Sequence, residues 1–206
     1  MEEKKDEDDE ELIEIKSIIL GESGVGKTNL AKAAIDLRFE PNSKSTVNSS
    51  YVSKKIYIFG KEYDLKLWDT AGQEKYRALT KLFYKNSKVV IFVYDITNRK
   101  SFNELEYWIN EVKEALGNEP ILGIVGNKSD LEELKEIEET EAKKYAEEKG
   151  IKFKLVSTKE NPKEFKLFLR MLIKDYIVKT GKINMKENLD LKPERNENNG
   201  QSCVIF

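Results

Sequence analysis

Histidine is absent from all 206 residues. That excludes Ser-His and Cys-His nucleophilic sites, histidine metal cages and imidazole pH sensing. The single cysteine, Cys203, excludes an intramolecular disulfide and a cysteine-cage zinc site. Long apolar runs are missing as well: the longest, VVIFVY at 89–94, has six residues, against roughly 20 for a membrane span. The opening MEEKKDEDDEEL has no apolar h-region, so it does not read as a secretory signal, and a cytoplasmic chain is expected. No Arg-rich stripe with interleaved aromatics appears, so nucleic acid is not an expected partner.

What is present is uneven charge. The net charge is −2, but residues 1–11 hold eight acids and two lysines, so they carry −6 and the remainder +4. With 39% hydrophobic and 36% charged residues, the chain suits one α/β domain with polar tails. Residues 1–11 read as a disordered acidic extension, 12–180 as the folded domain and 181–206 as a disordered tail.

Within the folded part, β-rich runs at 13–20, 51–59, 63–68, 89–94, 121–125 and 152–156 alternate with helical patterns at 28–37, 101–116, 138–149 and 162–179. Ser101 reads as the cap of the second helix, Gly150 as the stop of the third. The expectation is an α/β fold. It has a six-stranded, mostly parallel sheet, one antiparallel strand from the hairpin at 51–68, and helices on both faces. Ligands on such sheets sit at the carboxyl ends of strands.

Directly after the first strand comes GESGVGKT at 21–28, a phosphate-binding loop pattern. Its glycines let backbone N–H groups converge on phosphate oxygens at a helix N-terminus. Ser23, Gly24, Val25, Gly26, Lys27, Thr28 and Asn29 are the candidate contacts. Lys27 would neutralise β- and γ-phosphate charge, and Thr28 would place its hydroxyl on Mg²⁺. A second motif, WDTAGQE at 68–74, suits Asp69 to hold the metal through a water and Gly72 to donate its N–H to a γ-phosphate. Gln73 follows. A neutral amide both donates and accepts, so it can orient an attacking water in a histidine-free site.

A third motif, GNKSD at 126–130, follows a buried run. A carboxylate at Asp130 would accept two hydrogens from the guanine N1 and N2 edge, a donor pair adenine lacks. Asn127 would brace the loops, and the Lys128 stem would lie against the purine face. The chain ends in Cys203-Val204-Ile205-Phe206, a C-a-a-X prenylation signal whose terminal Phe favours geranylgeranyl. Residues 181–202 are balanced in charge, so one lipid would bind membrane weakly and reversibly.

These three motifs, in order on one edge of one sheet, resemble the Ras superfamily of small GTPases, and the resemblance spans 13–179. It implies GTP and GDP as substrate and product, Mg²⁺ as cofactor, and slow hydrolysis without an activating protein. It also implies Thr46 as the switch threonine completing the Mg²⁺ shell and Phe39 as the aromatic beside the guanine ring. Ser157, Thr158 and Lys159 match the loop that reads guanine O6, with Thr in place of the usual Ala. WDTAGQEKYRALTKLFY and YDITNRKSF look like the Rab branch, whose aromatic effector triad corresponds to Tyr51, Trp68 and Phe83. The partners so implied are an exchange factor, an activating protein, effectors and a prenyl-shielding protein. A monomer is expected, on the cytosolic face of endomembranes or of the plasma membrane. Val47-Asn48-Ser49-Ser50 departs from the Ile-Gly usual after the switch threonine, and Lys44 stands where heterotrimeric subunits carry an arginine. A Ras-like signalling role, a nucleotide-holding scaffold without hydrolysis, and a P-loop kinase or ATPase are the alternatives.

Overall fold

The computed structural model describes residues 12–41, 50–70 and 83–181. Six strands form one sheet: β1 (Ile13–Leu20), β2 (Ser50–Ile58), β3 (Lys61–Asp69), β4 (Val89–Asp95), β5 (Ile121–Asn127) and β6 (Lys152–Leu155), in the order β2-β3-β1-β4-β5-β6. Only β2 runs antiparallel, against β3; the other pairings are parallel, as the sequence leads one to expect. β2 and β3 join through Phe59 and Gly60, which have φ of 49° and 76°, the positive values that a two-residue type I′ hairpin turn needs.

Alternation along the strands divides the core between two faces. Ile15 and Ile19 of β1 and Val89, Ile91 and Val93 of β4 pack with α1 (Lys27–Ala34) and the long C-terminal helix Pro162–Lys179 on one side. Ile18, Leu20, Val90, Phe92 and Tyr94 face the other side. There they meet the helix Leu105–Leu116, whose Leu105, Trp108, Ile109 and Val112 form one buried stripe at helical spacing. β4 is buried at all seven positions, because helices cover a central parallel strand on both faces.

Among the described residues, the α-helices of five or more residues after α1 are α2 (Arg99–Asn103), α3 (Leu105–Leu116), α4 (Glu139–Lys149) and α5 (Pro162–Lys179). The stop at Gly150 is a Schellman turn: Gly150 is left-handed, with φ of 67°, Ile151 N–H donates to Ala146 O and Gly150 N–H to Glu147 O.

Two expectations are corrected. The second helix begins at Arg99 and is interrupted at Glu104. Its cap is Asn98, whose Oδ1 accepts from Ser101 N at 3.2 Å. Ser101 is itself buried inside the first turn, where its Oγ donates to Asn98 O and accepts from Asp95 N. The first helix ends at Ala34 rather than 37, since Asp36 turns left-handed (φ 62°). Asp36 closes a Schellman turn through Leu37 N–H to Lys32 O, and its carboxylate is held by Lys54 at 2.7 Å and Lys166 at 3.0 Å. Two lysines offset the backbone conformation that an L-residue adopts reluctantly.

Candidate functional site

The loop between β1 and α1 rests on glycines that nothing larger replaces without a collision. A Cβ at Gly21 would stand 2.2 Å from Val93 O, and one at Gly26 would stand 2.3 Å from Asn127 Nδ2; both residues have positive φ, 148° and 97°. The first sits against the end of β4 and the second against the end of β5, so the loop is pressed onto the carboxyl edge of the sheet. Val25 turns its side chain into the core at 1% exposure. Ser23 and Gly24 form the exposed tip.

Lys27 opens α1 and is 5% exposed. Its ammonium donates to Gly21 O at 2.9 Å and Glu22 O at 2.7 Å, so the charge is held across the mouth of the loop. Burial pushes its pKa down from 10.5 to about 8, opposed by the negative charges of Asp69 and Glu22. Next to it, Thr28 Oγ1 donates to Asp69 Oδ2 at 2.7 Å, which joins α1 to the end of β3. Asp69 is 3% exposed, and Thr70 after it is anchored to Ile19 O at 2.8 Å. A hydroxyl and a carboxylate in contact at the rim of the loop are the hard-oxygen donors a small divalent cation takes, so these residues fit Mg²⁺.

Asn29 has both side-chain groups engaged: Nδ2 donates to Glu40 O and Oδ1 accepts from Glu40 N, each at 3.1 Å. That two-point clamp fixes the segment just after Phe39, which is half-buried. Any ligand contact by Asn29 therefore falls to its backbone.

In the third motif, Asn127 ends β5 at 1% exposure, and its Nδ2 donates to Val25 O at 2.8 Å, a contact between residues 102 apart in sequence. One side chain thus ties the GNKSD segment to the phosphate loop. Lys128 follows in the left-handed region (φ 65°), its ammonium paired with Asp95 Oδ2 at 2.5 Å. The Asp130 side chain is 7% exposed. Its Oδ1 accepts from Ser157 Oγ at 2.6 Å, while Oδ2 has Lys159 Nζ at 3.8 Å. Ser157 Oγ accepts in turn from Glu160 N, and Ser129 N–H donates to Val156 O, so the two base-side loops are stitched together. Thr158 is buried beside them.

The sequence reading missed Asp95. It closes β4, is 6% exposed, and its Oδ1 accepts from both Thr97 N and Thr97 Oγ1. Through Lys128 it steers the base-side loop. The signal was available, because an acid at the carboxyl end of a buried strand is the feature that singles out Asp69.

Thr46, Gly72, Gln73 and Cys203 lie outside the described residues. Tyr51, Trp68 and Phe83 are brought together: Tyr51 and Trp68 pair across β2 and β3 with centroids 5.1 Å apart, and Phe83 stands 5.7 Å beyond Trp68. Lys16 Nζ lies 5.0 Å over the Trp68 ring.

A family model described as the Ras family matches residues 16–176. Ras-related protein Rab-21 of Homo sapiens is 42% identical over 154 residues, covering 75% of this chain and 68% of the relative. Ras-related protein RABA5a of Arabidopsis thaliana is 34% identical over 190 residues, or 92% of this chain and 86% of its own. Ras-related protein Rab-2B of Dictyostelium discoideum is 40% identical over 144 residues, or 70% and 71%.

Proposed function

The chain belongs to the Ras family and is a Rab-like small GTPase of membrane trafficking, and from that premise we propose that it works as a Mg²⁺-dependent switch whose shape follows the γ-phosphate of GTP. Most weight falls on the Asn127–Val25 hydrogen bond, because it makes base recognition and phosphate binding parts of one rigid pocket.

In this reading the N–H groups of residues 23–29 surround the phosphates. The Lys27 ammonium exchanges its two carbonyl partners for β- and γ-phosphate oxygens, a stronger charge-assisted pairing. Thr28 and Asp69, the latter through a water, would hold Mg²⁺ together with Thr46. The cation would supply positive charge that offsets the charge of the phosphates. Asp130, oriented by Ser157, accepts from guanine N1 and N2. The Lys128 stem and Phe39 flank the ring, and the backbone at Ser157, Thr158 and Lys159 meets O6. Gln73 aligns the attacking water, while Thr46 and Gly72 bind the γ-phosphate, so its loss on hydrolysis releases the segments that carry them. Tyr51, Trp68 and Phe83 then present or withdraw a surface for effectors. An exchange factor, an activating protein and a prenyl-shielding partner complete the cycle, and Cys203 carries the one prenyl group holding the chain at an endomembrane or plasma membrane. No helix among the described residues is long and apolar enough to cross a membrane.

Single-turnover hydrolysis of bound GTP tests the chemistry. Phosphate release on the order of 10⁻⁴ s⁻¹ with Mg²⁺, abolished by Gln73→Leu, is the expected result. Release that is equally fast in the variant removes Gln73 from the mechanism. Cys203→Ser should move the tagged chain from membrane to cytosol; unchanged membrane association refutes the anchor.

A further inference from the structure

Lys128 is held in a conformation that its own side chain disfavours. Its φ of 65° lies in the left-handed region, which an L-residue adopts reluctantly, and the turn continues with Leu131 N–H donating to Lys128 O. The side chain is one-third exposed, so its flexible four-carbon stem would wander among rotamers unless something fixed its far end. Asp95 does so. Its Oδ2 meets Lys128 Nζ at 2.5 Å, a charge-assisted pairing stronger than a neutral hydrogen bond.

Asp95 can serve as an anchor because the rest of it is engaged. Oδ1 accepts from Thr97 N at 2.9 Å and from Thr97 Oγ1 at 2.8 Å. Its backbone N–H donates to Ser101 Oγ at 3.0 Å, and its backbone O accepts from Asn98 N–H at 3.0 Å. Asp95 and Asn127 are register partners across β4 and β5, and Ile96 N–H donates to Asn127 O at 3.2 Å, so the carboxylate and the lysine start from neighbouring strand ends. Asp130 is oriented from another strand end, by Ser157 just after β6, at 2.6 Å. The two members of the GNKSD segment that carry charge are thus supported separately.

Resting on the reading above, in which the Lys128 stem lies on the purine face and Asp130 takes the N1 and N2 edge, we propose that Asp95 is a positioning residue that sets how long a guanine nucleotide stays bound without setting which base is chosen. The Asp95 carboxylate holds the Lys128 ammonium at the end of β4 and so fixes the path of the stem. A contact with the ring face is apolar burial and dispersion, which purines offer alike. A contact with the ring edge reads the ring substituents. Residence and selectivity therefore belong to two different carboxylates, Asp95 acting through Lys128 and Asp130 acting directly.

The test follows dissociation of GDP and of inosine diphosphate, which lacks the 2-amino group, from the full chain with Mg²⁺. Asp95→Asn removes the charge and leaves one oxygen to serve both Thr97 and Lys128. Both nucleotides should leave about tenfold faster, the loss expected for a hydrogen bond to a charged group, and the ratio of their rates should stay as it is in the unaltered chain. In the Lys128→Met background, which keeps a stem without the ammonium, Asp95→Asn should add nothing. Unchanged dissociation in Asp95→Asn overturns the proposal, and so does a shift in the ratio between the two nucleotides. The same acceleration in the Lys128→Met background also overturns it, because the effect would then run through the turn at Thr97 and Ser101 rather than through the lysine. The underlying reading fails by a different result: Asp130→Asn leaving the choice between GDP and XDP unaltered removes the edge contact, whatever Asp95→Asn does. An altered choice there, with unchanged dissociation in Asp95→Asn, keeps that reading and discards the role of Asp95.

Discussion

The proposed phosphate side and the proposed base side of the pocket reach order by different means. On the phosphate side, order is steric: Gly21 and Gly26 leave no room for a Cβ, and Lys27 of α1 and Asp69 of β3 are both buried. On the base side it is built from side-chain hydrogen bonds, with Asp130 held by Ser157 and Lys128 by Asp95. A site for a triply charged group needs converging backbone donors, which only glycine geometry allows. A site for a flat heterocycle needs one carboxylate aimed in one direction. The first tolerates no added atom. The second tolerates exchange of one polar group for another, with a change of specificity.

Gly21→Ala should break the comparison most violently. Its Cβ would meet the backbone oxygen of Val93 at 2.2 Å, and backbone cannot step aside as a side chain does. A loss of about 3 kcal/mol or more in urea unfolding is expected, with nucleotide binding lost as well. Asp130→Asn should do the opposite: the unfolding midpoint hardly moves, while preference shifts from guanine toward xanthine nucleotide by about a hundredfold, as read by competition between GDP and XDP. Unaltered selectivity would place the base contact elsewhere.

Asn127→Ala sharpens the comparison by cutting the bond between the two sides. It should cost about 2 kcal/mol of stability, because Val25 O loses its buried donor. It should also make the effects of Gly26→Ala and Asp130→Asn additive in a double-mutant cycle; persistent coupling would show that Asn127 is not the link. The smallest effect is on pH. The free-state pKa of Lys27 is lowered to about 8, and phosphate pairing favours the ammonium, so the bound state holds its proton at higher pH than the free state. GDP affinity should be flat below pH 8 and fall above it, by up to about tenfold per unit. Lys27→Gln should abolish that slope. For folding the sign is reversed: the unfolded chain keeps the proton up to about 10.5, so the contribution of Lys27 to stability rises between pH 8 and 10.5.

Much of this was legible because the strands carry their pattern openly. Ile13–Leu20 and Pro162–Lys179 fall where periodicity and the N-terminal proline set them. The misread second helix has a local cause, since Asn98 and Ser101 are both good caps and only the buried contacts of Ser101 with Asp95 decide between them. Asp36 was read as helix because its left-handed turn draws on Lys54 and Lys166, 18 and 130 residues away. Asp95 went unnoticed because its partner Lys128 is distant in sequence and was assigned a different task.

The order of residues alone established the α/β alternation and the three motif segments, the phosphate loop among them, since periodicity, glycine placement and charge are local properties. Tertiary structure decided which atoms meet: that Asn127 reaches Val25, that Ser157 aims Asp130, and that Thr28 touches Asp69. A hydrogen bond is specified to within a few tenths of an ångström, and that precision arises only when the sheet sets the separations of its strand ends.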